Sequence, residues 1–412
     1  MTPASGKLAT TPSTLPRTGL AALLAQLSIP GEIQLPNGSI IPVGDNSSSS
    51  SGSGSLYRVT FTSEIALRTP MIERRVAEAY VSGLIDVEGH MPALFNARAA
   101  LREKVPLRQK IQFVYDFLRS ATRMNAKAIG EHYGQDDDFY LTFIDKRFRF
   151  YTHGLFANPE ESIEQASEHK LEKIWASLDL KRGMRVLDIG GGWGGVTQYC
   201  GARGVHVTTL TLAPNGARYV QRLIEEKGLS GRVFLEDFLA HEPEDEPYDA
   251  AVSLGAIEHL PDYRRFASKV WDVLKPGAKF YLDGSAAVTK YAISSWTREN
   301  VWRGAHSFMT VQDIMGELLN YGFSVDEVVN ETRDYEWTML EWARRLDVNR
   351  EEIVAGYGEE MYRTFRVFLW GGAHAFRTRN LQAYHLVAER LEERGPRPGV
   401  LTRAWQFLGK LR

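Results

Sequence analysis

Cysteine is almost missing from this chain; Cys200 is the only one. No intrachain disulfide can form, and no thiolate cage for zinc or an iron–sulfur cluster can be built. A reducing compartment is therefore expected. Long hydrophobic runs are missing too. No apolar stretch approaches the roughly 20 residues that span a bilayer. No basic region followed by an apolar core opens the sequence, so no secretory signal is expected. Neither sign of charge is in excess: 49 Lys+Arg stand against 51 Asp+Glu, a formal charge of −2. That balance argues against a nucleic-acid binder held by overall charge. What the chain does have is length. Its 412 residues exceed the ~150 typical of one compact domain, so two domains are expected.

Composition changes along the chain. Residues 1–18 are rich in Thr, Pro and Ser and read as a disordered tail. Residues 19–29 fit a short apolar helix. Two strand-like runs follow, EIQLPNGSIIPV and SLYRVTFTS, with a Pro36-Asn37-Gly38 turn inside the first and the loop NSSSSSGSGS between them. Helical patterning is expected from Pro70 to about Ala121, so 19–125 reads as a small α+β domain. From about Met184 strand-like runs alternate with helical stretches: MRVLDIG, VHVTTLTL, RVFLED, YDAAVSLG, KFYLDGS and FSVDEVV. LQAYHLVAER is a seventh, after an aromatic-rich helical insertion at 334–378. The alternation predicts an α/β fold: a mostly parallel, Rossmann-like sheet of seven strands with helices on both faces.

The strongest motif is Val186-Leu187-Asp188-Ile189-Gly190-Gly191-Gly192-Trp193-Gly194-Gly195. An apolar strand enters a turn of glycines and a helix follows. Glycine lets the backbone turn sharply and approach a ligand without a Cβ clash. The free N–H groups of the next helix can donate to that ligand. Gly190, Gly192 and Gly195 satisfy the dinucleotide pattern G-x-G-x-x-G. A nicotinamide site also wants an acid ending the second strand, which here ends Leu210-Thr211-Leu212. Acids stand instead at Asp188 and at Glu236-Asp237, the end of the third strand. That layout resembles class I S-adenosylmethionine methyltransferases, in which Asp188 would support the turn beside the methionine moiety and Asp237 would accept from the adenine amino group. A dinucleotide and a purely structural turn are the competing readings.

Further segments make the resemblance specific. They are His132-Tyr133-Gly134-Gln135-Asp136-Asp137-Asp138-Phe139-Tyr140, Tyr151-Thr152-His153-Gly154-Leu155-Phe156, Val207 to Leu212, Gly255-Ala256-Ile257-Glu258-His259, Asp334-Tyr335-Glu336-Trp337-Thr338 and Ala373-His374-Ala375-Phe376-Arg377. In this order they resemble motifs of the cyclopropane-fatty-acyl-phospholipid synthases and mycolic acid cyclopropane synthases. The resemblance runs from about residue 34 to 390.

The resemblance implies an S-adenosylmethionine-dependent C-methyltransferase acting on the double bond of an unsaturated phospholipid acyl chain. Tyr151, Thr152, Asp188, Gly190, Gly192, Trp193, Gly194, Thr211, Leu212, Asp237 and Phe238 would bind the cofactor. Glu258, His259, His153, Asp283 and Tyr335 would carry the chemistry, and no metal is implied. In that family a bound bicarbonate takes the proton, held by a cysteine, a glutamate, a histidine, an isoleucine backbone and a tyrosine. Glu258 and Tyr335 match. His153 stands at the cysteine position, Asp283 at the histidine position and Ser285 at the isoleucine position, and Gly216 replaces a frequent glutamine near the cofactor. A carboxylate at 283 would repel an anion. Bicarbonate is accordingly not expected in its usual role; His153 or Asp283 is a candidate base, or the product is a methyl- or methylene-branched chain. A methyltransferase on a small amine or carbon nucleophile and a non-catalytic lipid-binding relative are the alternatives.

The last segment, 394–412, carries Arg394, Arg397, Arg403, Lys410 and Arg412 with no acid, and Val400, Leu401, Ala404, Trp405, Leu408 and Leu411 at helical spacing. A basic amphipathic tail suits an anionic membrane surface, and a solvated tail is the competing reading. The expected partners are lipid acyl chains and a second copy of the chain, with no nucleic acid. The expected place is the cytoplasm, peripheral on the inner face of the cell membrane.

Overall fold

The computed structural model describes residues 15, 19–26, 29–44, 55–95, 137–290, 292–302 and 306–395. The tail expected at 1–18 lies outside the described residues apart from Leu15, and the tail expected at 394–412 does so apart from Arg394 and Gly395. So do most of the serine-rich loop and the helical run expected between 96 and 121.

The N-terminal unit starts with α1 (Leu20–Leu24) and the hairpin β1 (Gly31–Gln34) and β2 (Ile40–Val43). Gly38, at φ 86°, supplies the left-handed residue that the hairpin needs. Next come β3 (Tyr57–Phe61), α2 (Glu64–Leu67), α3 (Glu73–Val81), β4 (Ile85–Gly89) and α4 (Met91–Phe95). The four strands form one sheet, β2-β1-β3-β4, with β1 and β3 parallel and the outer pairs antiparallel. Ile33, Val59, Phe61 and Ile85 bury one face against α1 and α2. β4 departs from the helical pattern expected after Pro70: Gly83, at φ 76°, ends the helix, and Ile85 to Gly89 pair with Phe61 to Tyr57.

The second unit contains α5 (Asp137–Leu141), α6 (Ile163–Ser177), β5 (Arg185–Ile189), α7 (Gly195–Gly201), β6 (His206–Thr211), α8 (Pro214–Lys227), β7 (Gly231–Leu235) and β8 (Tyr248–Leu254). They are followed by α9 (Tyr263–Val273), β9 (Leu274–Ala286), α10 (Ser295–Asn300), α11 (Val311–Tyr321), β10 (Phe323–Asn330), α12 (Thr332–Val348), α13 (Arg350–Tyr357), α14 (Glu359–Arg377) and β11 (Gln382–Arg390). All seven predicted strands are present. They order as β10-β11-β9-β8-β5-β6-β7. β5 to β9 are mutually parallel where they pair, and β11 runs antiparallel to both neighbours.

Chain order reverses between β5 and β8, so the crevice over their carboxyl ends is where an open α/β sheet binds ligands. The aromatic insertion is α12 to α14. Part of it is plain core: Trp342, Phe365 and Leu369 are buried with Phe139 and Phe143. Cys200 packs on α7, fully buried, and burial pushes its thiol up to about 12. It is a packing residue, as its place in the sequence suggests.

Candidate active site

The glycine turn leaves β5 at Ile189. Gly190, Gly192 and Gly194 take φ of 79°, 50° and 77°, conformations that side chains disfavour. Gly191 is needed for space, since a Cβ there would come within 2.3 Å of Thr209 Cγ2 and 2.4 Å of Asp188 Oδ2. At Gly192 a Cβ would meet nothing within 4 Å, so that part of the turn faces open space. Beneath the turn Asp188 is buried. Burial lifts its carboxyl to about 7, and Oδ2 has no hydrogen-bond partner among the described residues. An orphaned acceptor beneath an open glycine turn awaits a donor from a ligand.

Neighbouring strand ends complete this half. Thr211 closes β6 and accepts from the N–H of Ala213 at 3.1 Å. Leu212 follows it, half-buried. Past β7, Asp237 accepts from the N–H of Leu239 at 2.9 Å, and Phe238 is buried edge-to-face on Phe266. Trp193 is buried against Tyr140, whose ring is 5.8 Å away.

Across the switch point lies the second half. Glu258 sits in a single 3-10 turn after β8 and is buried. Its Oε1 accepts from the Ser285 N–H at 2.8 Å and the Ser285 hydroxyl at 2.7 Å. Its Oε2 is buried with no hydrogen-bond partner among the described residues. Burial raises this carboxyl to about 7; the Ser285 hydrogen bonds pull it down, and the Asp283 charge adds to the rise. His259 is pushed down to about 4 by burial, so it is neutral at pH 7. Gly190 joins the halves: a Cβ there would lie 2.7 Å from the Ala256 Cβ.

Behind Glu258 and Ser285 lies a layer of charge that no motif announces. Lys170 of α6 and Asp283 of β9 are both fully buried and form an ion pair. Lys170 also donates to the His153 carbonyl at 2.8 Å, and Asp283 accepts from the Gly255 N–H at 2.9 Å. His153 Nε2 is 2.7 Å from Glu331 Oε2, and Glu331 Oε1 is 2.5 Å from His385 Nδ1. Burial pushes the Glu331 carboxyl up, but the two histidine hydrogen bonds outweigh it and hold it well below the usual range. His153 stacks on Tyr335, with 4.9 Å between rings, and Tyr335 on Phe376 at 4.3 Å.

A cavity of about 310 Å³ opens from Glu258 and Gly255. Tyr151, His259, Trp302, Tyr335, Trp342 and Phe368 line it, together with Tyr80, Ile85, Val87 and Met91 of the N-terminal unit. Of the residues predicted to carry chemistry, Glu258, His259 and Tyr335 line it and so does Tyr151. His153 lies behind Tyr335. Asp283 does not line the cavity, and its carboxylate is ion-paired with Lys170 rather than standing alone as the sequence suggested. Thr152 lies in this layer too, its hydroxyl 3.3 Å from the Lys170 ammonium. Lys170, Glu331 and His385 are missing from the sequence reading. Among the described residues no cluster of His, Cys, Asp and Glu suits a metal.

The strand order, the glycine turn and the orphaned Asp188 together define an S-adenosylmethionine-dependent methyltransferase. Residues 120–386 match the family model for mycolic acid cyclopropane synthetase, and the chain belongs to that family. It is 28% identical over 296 residues to a probable fatty acid methyltransferase, Rv3720, of Mycobacterium tuberculosis, covering 70% of this chain and 68% of that one. It is 28% identical over 271 residues to the cyclopropane-fatty-acyl-phospholipid synthase of Escherichia coli K12, covering 65% and 69%. Among solved structures, mycolic acid cyclopropane synthase CmaA1 complexed with SAH and CTAB superposes with a TM-score of 0.58 at 25% identity, covering 64% of this chain and 98% of that one.

Proposed function

We propose that the enzyme adds the methyl carbon of S-adenosylmethionine to the double bond of an unsaturated fatty acyl chain of a phospholipid. The observation that carries this is the cavity: one apolar, aromatic-walled passage leads from the buried Glu258 carboxyl to the N-terminal sheet. S-adenosylmethionine, when bound, supplies an electrophilic methyl. The turn from Gly190 to Gly194, with Asp188 beneath it, and the ends of β6 and β7 at Thr211, Leu212, Asp237 and Phe238 are the residues to hold it.

An alkene is a weak nucleophile, so rate must come from placement and from the exclusion of water. Trp302 and Trp342 flank Tyr151, with ring distances of 6.1 and 5.2 Å, and Phe368 lies 6.1 Å beyond Trp302. Their faces stabilise positive charge that develops on the acyl chain.

Bicarbonate fits this site poorly. The Ser285 N–H and hydroxyl, which would donate to an anion, are both committed to Glu258. Proton removal therefore falls to the protein, and a ring or a methyl- or methylene-branched chain are the products to distinguish. The same reading puts the enzyme on the cytoplasmic face of the membrane, where the basic C-terminal segment suits anionic lipid. The test is mass spectrometry of lipids from a host expressing the protein. A gain of one CH2 on monounsaturated acyl chains is expected, and fragmentation then separates ring from branch. An unchanged lipid profile overturns the proposal.

A further inference from the structure

Glu258 stands where the two halves of the site meet. Gly255 and Glu258, both just past β8, line the cavity. Ala256, between them, packs against Gly190 of the glycine turn, where a Cβ would come within 2.7 Å of the Ala256 Cβ. The Glu258 carboxyl has one oxygen committed and one left over. Oε1 accepts from the Ser285 N–H at 2.8 Å and from the Ser285 hydroxyl at 2.7 Å. Oε2 is buried and has no hydrogen-bond partner among the described residues. A buried acceptor in this state needs a reason, and a proton from a ligand supplies one. Other bases are less well placed. His153 and Asp283 do not line the cavity, and Asp283 is ion-paired with Lys170. Glu73, the other carboxyl-bearing residue that lines it, stands on α3 of the N-terminal unit. His259 is pushed down to about 4 by burial, which makes it a weak base. Besides Asp283 and Lys170, the titratable groups around Glu258 are Tyr263 of α9 and, on the cavity wall, His259, His306, Tyr151 and Tyr335.

We infer that Glu258 Oε2 is the base that takes the proton given up by the substrate cation, and that Ser285 is the positioning residue that ties down Oε1 and leaves Oε2 for this task. On the reaction proposed above, on which this role rests, the alkene pair forms a C–C bond to the methyl. The C–S bond breaks with its electrons going to sulfur. A C–H bond of the transferred methyl then breaks. Its electron pair closes a ring or, after a 1,2-hydride shift along the chain, forms an exomethylene C=C bond. The proton passes to a lone pair of Oε2 as an O–H bond. When product departs, water takes that proton and the carboxylate returns. One proton leaves for each one accepted, and no redox partner is needed. The ionised carboxyl also faces positive charge as it develops, so methyl transfer itself is favoured by ionised Glu258. Burial raises this carboxyl to about 7, so it is mostly ionised at pH 8 and still gains and loses a proton readily.

Turnover on vesicles of monounsaturated phospholipid, in CO2-stripped buffer with saturating S-adenosylmethionine, tests this role. The wild type should be fully active without added bicarbonate, and its kcat/KM should fall on the acid side with a midpoint near pH 7. Glu258→Gln should lower kcat by about a hundredfold or more and abolish that acid limb, while calorimetry shows S-adenosylmethionine still bound. Ser285→Ala keeps the N–H bond to Oε1 and loses the hydroxyl bond that favours the ionised carboxyl. Its acid limb should move up by about one pH unit, and kcat should fall with little change in KM. With a CD3 methyl on the cofactor, Ser285→Ala and Glu258→Asp should show a larger isotope effect on kcat than the wild type, because a displaced carboxylate slows the breaking of the methyl C–H bond. Dependence of the wild type on bicarbonate, or a Glu258→Gln that binds the cofactor and keeps its kcat, overturns Glu258 as the base while leaving the methyl transfer intact. An acid limb unmoved in Ser285→Ala overturns the positioning role. Absence of a lipid product at every pH overturns the proposed reaction and the base with it.

Discussion

A carboxyl group taken out of water resists ionisation, and Glu258 shows the consequence at the scale of one residue. Its carboxyl is raised from 4.5 to about 7, chiefly by burial. The folded chain therefore keeps a proton that the unfolded chain gives up. The sign follows: stability is greatest below about pH 4.5 and falls as pH rises toward 7, by on the order of 3 kcal/mol. Glu258→Gln cannot ionise. Its melting temperature relative to wild type should rise between pH 5 and pH 8, while methyl transfer should drop by at least about a hundredfold. Paired melts and turnover at the two pH values check both. The glycine turn yields a second contrast. Gly191→Ala must push Thr209 and Asp188 apart and should cost about 1–3 kcal/mol. Gly192→Ala has room and carries only the ~1–2 kcal/mol of a left-handed alanine. Its methyl faces the open side, so it should fold and yet bind S-adenosylmethionine at least about tenfold more weakly by calorimetry.

Among the elements, α6 holds the layer behind the site in place. Lys170 lies within SEHKLEKIW, a stretch that reads as the solvated face of an amphipathic helix. It turns inward because Asp283 of β9 neutralises it there. Nothing near either residue in the sequence signals the pairing, and the same holds for His153 and Glu331, 178 positions apart. The glycine turn and Glu258 were legible because each is a local pattern at the end of a strand. The seven strands were legible because apolar runs and helical periods alternate. β4 was not, since a five-residue strand between two helices leaves too short a pattern to outweigh its neighbours. Lys170→Met leaves a buried carboxylate uncompensated and should cost about 3–5 kcal/mol in denaturant unfolding. Adding Asp283→Asn removes that charge while keeping an acceptor for the Gly255 N–H, and should return most of the loss.

For the whole molecule, the family match begins at residue 120, and the N-terminal sheet precedes it. That sheet nevertheless completes the cavity. Arg366 of α14 donates to the Tyr80 hydroxyl and the Val87 carbonyl, each at 2.9 Å, and Arg363 donates to the Tyr80 carbonyl at 3.0 Å. The aromatic insertion is thereby fastened to α3 and β4, and Tyr80, Ile85, Val87 and Met91 form part of the cavity wall on that side. On the function proposed above, an acyl chain that extends from Glu258 toward the N-terminal unit runs along this wall, so the wall sets how much chain fits. Val87 is half-buried and points one small side chain at the passage. Val87→Phe narrows the cavity on the side of the N-terminal unit and leaves the glycine turn and Glu258 untouched. It should shift modification toward shorter acyl chains, with the longest favoured chain losing about tenfold or more in kcat/KM and the shortest losing little, because a filled apolar pocket discriminates by about 1–3 kcal/mol. Competition between phospholipids of different acyl length, read by mass spectrometry, measures this. An equal loss for every chain length would mean that this wall serves only to hold the two units together.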